Sequence, residues 1–534
     1  MAVTAEAAPQ AEASKRDRFV DALFAPTDVT ILVYFRVVFG TLIAWHAVLD
    51  LQQHRVTHLL NAKILFNYWP FTFVKLMPSP LMYGVEILLV IAGVFIAVGL
   101  YYRASAVAVF VLMTYLFLLD RAEYLNHMYL VSLIAFLMIF LPANRKWSLD
   151  ARFDPTIRRD EVPAWTVWLL RFQIAVPYVL GGIDKLNADW YHGEPLHTIL
   201  VRRQDFALLG QFFTNHIFFD VLNWGALASD LLAVFLLLNR YTRVPAYIAV
   251  ITFHLVNARL FHIDIFPWMM IATTAVFFPA DWPRRVVTDF RTRPWSPRVW
   301  RFIVGFLIVA AVSIYLPTTH APIDPLLGGI GGGVVGYYFE IPSRRRPEHA
   351  RAPVIRSPRR RRAVGLLAAW VAFQVLVPLR HFLRPGNVYW TGEGQQFSWH
   401  MMLQNRVGTT TFILRNPVNG KTQEIDPADF LSPLQVHWVT ANTDMTVQFA
   451  HYLSDRAQRE LHMSVKPQVF AHTMASLHLR PLQPFIDPNV DLARVKRPLL
   501  GGEKWIIPLR PVTSGPHQAP SGDELNKSAS ASAG

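Results

Sequence analysis

The stretch GGIDKLNADW, residues 181–190, closes a long apolar run and sets Lys185 beside Asp184, Asn187, Asp189 and Trp190. Desolvation penalises an ammonium, so a lysine held against an apolar wall can be a neutral amine that takes a proton near neutral pH. A carboxylate close by opposes this by stabilising the ammonium, and the sequence leaves open whether Asp184 or Asp189 approaches. The competing reading is a lysine at a helix end whose stem lies along apolar surface while its head reaches lipid headgroups.

Other polar residues interrupt apolar segments in the same way. Arg36 sits in ILVYFRVVFGTLIAW, Asn126 and His127 in YLNHMYL, Arg171 and Gln173 in WLLRFQIAVPYVLGG, and His254, Asn257, Arg259 and His262 in FHLVNARLFHIDIF, while Glu86 and Asp230 stand alone. Within a bilayer such groups are costly and normally face a bundle interior, which makes each a candidate for function. Arg36, Arg171 and Asp230 read first as partners between helices. His127 taken alone reads as a hydrogen-bonded packing histidine. His262 and Asp264 offer two metal ligands with no third at a recognisable spacing, so no metal is expected.

The elements that must position these residues are membrane helices. Of 534 residues, 53% are hydrophobic and 16% charged, against about 25% charged in soluble domains. Apolar runs near the span length of roughly 17–25 residues cover 29–49, 81–100, 104–119, 126–141, 165–183, 218–238, 244–260, 265–278, 302–316 and 364–379, with a weaker one at 326–339. The net charge of +14 comes from basic loops, which topology explains without nucleic acid. Lys15, Arg16 and Arg18, then Arg145 to Arg159, then Arg284 to Arg293 fall on one side of alternating spans. The excess of basic loops makes that side the cytoplasm. The arginines from Arg344 to Arg362 join it only if residues 302–339 cross zero or two times, which favours a hairpin over a single crossing.

The fold expected is therefore a polytopic α-helical membrane protein of about 9 to 11 transmembrane helices with a C-terminal extracytoplasmic, mainly β domain. Its parts are a cytoplasmic arm (1–25), a transmembrane catalytic domain (26–282), basic segments with the hairpin (283–363), a last helix (364–384), the β-rich domain (385–512) and a disordered tail (513–534). In the β-rich part, TTTFILRNPVNGKTQEID (409–426) reads as two strands around a turn, 444–461 has helical spacing, and PQVFAHTMASLHLRPL alternates as a strand. By the same parity, Lys185 and the C-terminal domain share one face of the membrane. The positions of Asn126, His127, Lys185, Asn257 and His262 along their helices predict a single pocket at that face.

Five segments in order, PTDVTILVYFRVVFG, YLFLLDRAEYLNHMYLVSLIAFLMIFLPANRKWSLDARF, LGGIDKLNADWYHGEPL, FHLVNARLFHIDIFPWMMIATTAVFFPADWPRR and FSWHMMLQNR, together resemble the vitamin K-dependent gamma-carboxylases and their bacterial relatives, with an HTTM-type membrane domain. The resemblance runs from about 26 to 282 and resumes from 364 to about 511. It implies oxidation of reduced vitamin K, or of menaquinol in a bacterial inner membrane, by O2 to the epoxide, with CO2 added to the γ-carbon of peptide glutamate. Partners would be membrane lipid, the quinone and a glutamate-containing peptide. In that family a lysine amine deprotonates the hydroquinone, and the oxygenated quinone becomes the base that removes the γ-proton.

By motif the base lysine falls on Lys185, and the asparagine–histidine pair on Asn126 and His127, which would position quinone oxygens. His254 and Asn257 match the FH..N motif. Trp399 and Arg406 match a motif of the outer domain that would serve folding and peptide docking. Asp189, Trp190 and Arg36 complete the set for quinone or substrate binding. Three departures stand out: Asp184 occupies a position where animal members carry a second lysine, a chain without cysteine cannot join its two parts by a disulfide, and the arginine-rich loop with the hairpin at 302–339 has no recognised counterpart in the family. A quinol epoxidase that does not carboxylate, and a non-catalytic membrane assembly protein, are the alternative readings.

Overall fold

A computed structural model describes residues 15–510 except 202, 204, 205, 207, 208, 262, 316–322, 340–357, 402–404, 479 and 497–501. The disordered tail expected at 513–534, most of the arginine-rich stretch from Arg344 to Arg362, and His262 lie outside the described residues. The bundle runs through α1 (Thr30–Gln52), α2 (Ser79–Val98), α3 (Tyr102–Leu119), α4 (Asn126–Met138), α5 (Trp165–Asp184), α6 (His216–Leu238), α7 (Arg243–Phe261), α8 (Phe266–Thr274), α9 (Pro297–Tyr315), α10 (Ile323–Tyr337) and α11 (Pro358–Leu379). Among the described residues eight helices are long and apolar enough to cross a membrane, and α4 and α8 are shorter apolar helices. Thirteen residues of helix in α4 rise only about 20 Å, short of a hydrocarbon core of about 30 Å. Both short helices sit inside the bundle, where neighbours rather than lipid surround them. In α8 every residue from Pro267 to Thr274 is buried, as expected of a helix apolar on all faces.

Lipid is as apolar as leucine, so packing between these helices relies on close van der Waals contact. The 302–339 region shows this most plainly. Helices α9 and α10 run antiparallel, and a Cβ added at Gly332 would stand 2.1 Å from the Gly305 carbonyl oxygen, while one at Gly336 would stand 2.0 Å from that of Arg301. Only glycine permits the two backbones to meet there.

The C-terminal domain combines a four-stranded antiparallel sheet with two helices. Its strands are β1 (Arg406–Arg415), β2 (Thr422–Ile425), β3 (Gln468–Leu477) and β4 (Gln483–Pro484), in the order β2-β1-β3-β4. The β1–β2 hairpin turns through Asn416–Gly420, and β1 pairs with β3 from Arg406 opposite Leu477 to Arg415 opposite Gln468. Helix α12 (Pro433–Ala441) begins at a capping box of Ser432 and Gln435, and α13 (Thr443–Glu460) follows. Sequence periodicity indicates α13 and all the long strands but not α12, so helix has a larger share of this domain than expected. Phe412, Val439, Met445, Phe449, Val469 and Phe485 form its core.

Polar contacts dock this domain on the bundle in place of any covalent link. Arg121 pairs with Asp444, Asn67 and Gln448 exchange two hydrogen bonds of 2.9 and 3.0 Å, and Gln435 donates to Asp120 at 2.9 Å. Burial pushes the Asp120 carboxyl up to about 6 although the Phe66 and Ala122 amides and Gln435 all donate to it.

Candidate functional site

Helix α5 carries Gly181 and Gly182 one turn before its end. A Cβ at Gly182 would lie 2.9 Å from the backbone nitrogen of Leu231, so this glycine lets α6 approach closely, and Asp230 comes with it. Lys185, the C-cap of α5, is 5% exposed. Its Nζ lies 2.5 Å from Asp230 Oδ2 and 3.4 Å from the Gly181 carbonyl oxygen. The Trp190 ring covers it, with the centroid 5.2 Å from Nζ. Asn187 fixes that ring by capping the Trp190 amide at 2.9 Å, and the Trp190 carbonyl accepts from Asn223 at 3.1 Å.

Lys185, Asp230 and Trp190 line a mostly apolar cavity of about 90 Å3 that continues past Tyr178, Phe253, His254, Asn257, Phe266 and Met401. His254 Nε2 is 2.8 Å from the Tyr178 hydroxyl, which is 3.3 Å from Thr274 Oγ1. Its Nδ1 is buried without a hydrogen-bond partner in the described structure. A buried imidazole nitrogen without a partner on an apolar wall suits an oxygen-bearing ring ligand.

The structure brings together Lys185, Trp190, His254 and Asn257 and separates the others. The expectation that Asn126 and His127 share this pocket is corrected. Phe266 stands between, its ring centroid 5.5 Å from His127 and 5.7 Å from His254, so His127 lies behind the wall. Asn126 turns to the C-terminal domain, accepting from Tyr124 at 2.9 Å and donating to the His400 carbonyl at 3.5 Å. Arg36 as a quinone contact is corrected too: at the other end of the bundle it donates to the carbonyls of Ala143 and Trp147. Arg171 likewise serves the carbonyls of Val276 and Phe278.

Asp189 is also moved from the pocket to the domain interface, where it pairs with Arg480 and lies 3.3 Å from His478 Nδ1. Burial alone would raise its carboxyl, but His478 and Arg480 outweigh that and hold it below the usual range. Trp399 adopts φ 64° and packs on Tyr129 at 5.2 Å. Arg406 is 2% exposed, with its guanidinium 4.5 Å from the Phe485 ring centroid, and burial lowers it to about 9. Both residues brace the C-terminal domain rather than line the cavity.

Asp230, read from the sequence as a partner between helices, pairs from α6 with the lysine that ends α5. It lies 45 positions from Lys185, and no local spacing signals that pairing. Asp184, the carboxylate next to the lysine in sequence, turns away toward His400, with Oδ2 3.3 Å from Nδ1. Burial pushes the His400 imidazole down to about 3. Asp184, His381 and His400 place three potential ligand atoms within 4.8 Å of one another.

Two family models match the chain: the HTTM domain over residues 24–282, and the vitamin K-dependent gamma-carboxylase, lumenal domain, over residues 359–511. No solved structure matches it.

Proposed function

Because the chain belongs to the vitamin K-dependent gamma-carboxylase family, we propose that it is a membrane enzyme that couples O2-dependent oxidation of a reduced quinone to carboxylation of peptide glutamate. The quinone is reduced vitamin K or menaquinol. In balance, quinol and O2 give epoxide and water, while a glutamate Cγ–H and CO2 give a second carboxylate and a proton. The bound quinol supplies the strong base that this second exchange needs.

The protein's own residues bind, orient and move the first proton. Lys185 Nζ accepts a proton from a quinol hydroxyl inside the cavity. An amine already engaged by a carboxylate can do so only if its own proton moves on, and Asp230 Oδ2 at 2.5 Å is in reach to receive it. His254 Nδ1 and Asn257 meet the ring oxygens, and Tyr178 orients the His254 ring through Nε2. Trp190 and Phe266 exclude water from the amine. The observation that carries this reading is a buried lysine–aspartate pair at the lining of an apolar cavity beneath the C-terminal domain. In the topology proposed here the arm at residues 1–25 is cytoplasmic and the C-terminal domain lies outside a bacterial inner membrane, where peptide substrates are met.

The test uses the full chain in lipid with reduced menaquinone or vitamin K, labelled CO2 and a glutamate-rich peptide. Label in the peptide together with epoxide supports the proposal. Epoxide without label restricts the activity to quinol oxygenation. Neither product removes the reading and leaves a membrane binding or assembly role.

A further inference from the structure

The cluster of Asp184, His381 and His400 lies outside the cavity chemistry and joins three distant segments. Asp184 ends α5, His381 lies in the 3-10 turn after α11, and His400 belongs to the C-terminal domain beyond Trp399. All three are enclosed: the His400 and Asp184 side chains are 1% and 7% exposed, and His381 is 8% exposed.

The hydrogen bonding of the two imidazoles points to a cation. His381 Nδ1 lies 2.8 Å from the Pro378 carbonyl oxygen. A carbonyl only accepts, so Nδ1 carries the hydrogen and Nε2 presents a lone pair. Metal-binding histidines are typically oriented by this arrangement. Among the described residues neither ring nitrogen of His400 has a hydrogen-bond partner, nor does Asp184 Oδ2, although all three atoms are buried. Such orphaned atoms are rare in a folded protein. The His400 Nδ1 to Asp184 Oδ2 separation is 3.3 Å. Two ligand atoms bound at about 2.0–2.1 Å in tetrahedral geometry stand roughly 3.3–3.4 Å apart. The Arg380 guanidinium close by disfavours a cation electrostatically, and the Asp184 carboxylate, as a ligand, would bring a negative charge to the ion.

We propose that Asp184, His381 and His400 bind a first-row divalent metal ion, zinc by donor type, which clips the C-terminal domain to the ends of α5 and α11. Two imidazoles and one carboxylate are a donor set suited to zinc, iron or cobalt and not to calcium or magnesium. The clip does in a chain without cysteine what a covalent cross-link would do. Because all three ligands come from different segments, the site exists only in the folded, docked protein, and metal binding then stabilises that state.

The experiment uses full-length protein in detergent, purified without chelator. Elemental analysis should find stoichiometric zinc or another first-row metal. After the metal is stripped, Co2+ should give visible d–d absorption of a low-symmetry site, and Zn2+ should displace it and raise the thermal midpoint. His381→Ala and His400→Gln should each weaken Co2+ binding beyond the roughly 10–100-fold that loss of an outer-shell partner costs. Asn126→Ala, beside the cluster but not a ligand, should leave it intact. The proposal is overturned if folded wild-type protein takes up neither Co2+ nor Zn2+ at micromolar concentrations, or if both histidine variants bind as the wild type does. Failure here leaves the quinol reading untouched, since the two tests share no readout.

Discussion

Arg36 and Lys185 are cations buried toward opposite ends of the bundle, and their surroundings differ in kind. Arg36, 1% exposed, donates to the Ala143 and Trp147 carbonyls and packs so tightly that a Cβ at Gly99 would lie 2.2 Å from its Nη1. Its partners are fixed backbone atoms that take up no proton. Lys185 is held by a carboxylate that can take a proton, and one side of it borders a cavity. Burial is common to both. Chemistry requires, in addition, a partner that can change protonation and space for a second molecule, and only the lysine has them.

The sharpest way to break this contrast is Lys185→Arg, which preserves the pairing with Asp230 but substitutes a group that does not deprotonate. Epoxide formation should fall by about 10^2–10^4-fold, the usual contribution of a general base, with the thermal midpoint nearly unchanged; wild-type turnover in this variant would refute the base assignment. Asp230→Asn should come next, with a loss of about 10–100-fold in epoxide formation as the proton acceptor behind the lysine disappears. A variant as active as the wild type would reduce Asp230 to a packing partner.

Arg36→Met should show the opposite pattern. It removes two hydrogen bonds from a charged donor and leaves two carbonyls wanting, at a cost of about 3 kcal/mol, read as a lower unfolding midpoint. Turnover per folded molecule should stay within about twofold if the site is as far from the chemistry as this comparison requires. Should turnover collapse while stability holds, the two cations are not distinguished as argued.

The smallest effect concerns Asp189, which lies between these extremes at the domain interface. Its folded carboxyl sits below the ordinary value, so its contribution to docking, about 1 kcal/mol, is present above an unfolded value of about 3.9 and is lost as pH falls through the lower folded value. The Asp189 contribution to protease resistance of the C-terminal domain should therefore be lost only below about pH 4, whereas Asp120, held up at about 6, makes docking firmer as pH falls from about 8 to 5. Asp189→Asn should raise sensitivity at neutral pH.

Much of the fold is legible in the chain because it rests on local patterns. Apolar runs such as 81–100 can only be membrane helices, since such a run crosses the bilayer and satisfies its own backbone. Strand alternation in residues 467–482 and helical spacing in 444–461 each follow from a side-chain period. The lysine and its covering tryptophan were legible as well, since Asn187 caps the turn that joins them only a few residues apart. Asn126 and His127 misled because their height along α4 said nothing of Phe266, whose ring comes between them and the cavity from another helix.

Sequence by itself determined which residues lie in lipid, which form strands, and which polar groups pay for burial, because hydropathy and periodicity act over a turn or two of chain. Tertiary structure alone decided that Lys185 meets Asp230 rather than Asp184 or Asp189, and that Asp184 faces two histidines from the far end of the chain. A helical period sets the face on which a side chain stands but not the neighbour it finds there. That neighbour depends on how closely backbones approach, as Gly182 permits at Leu231.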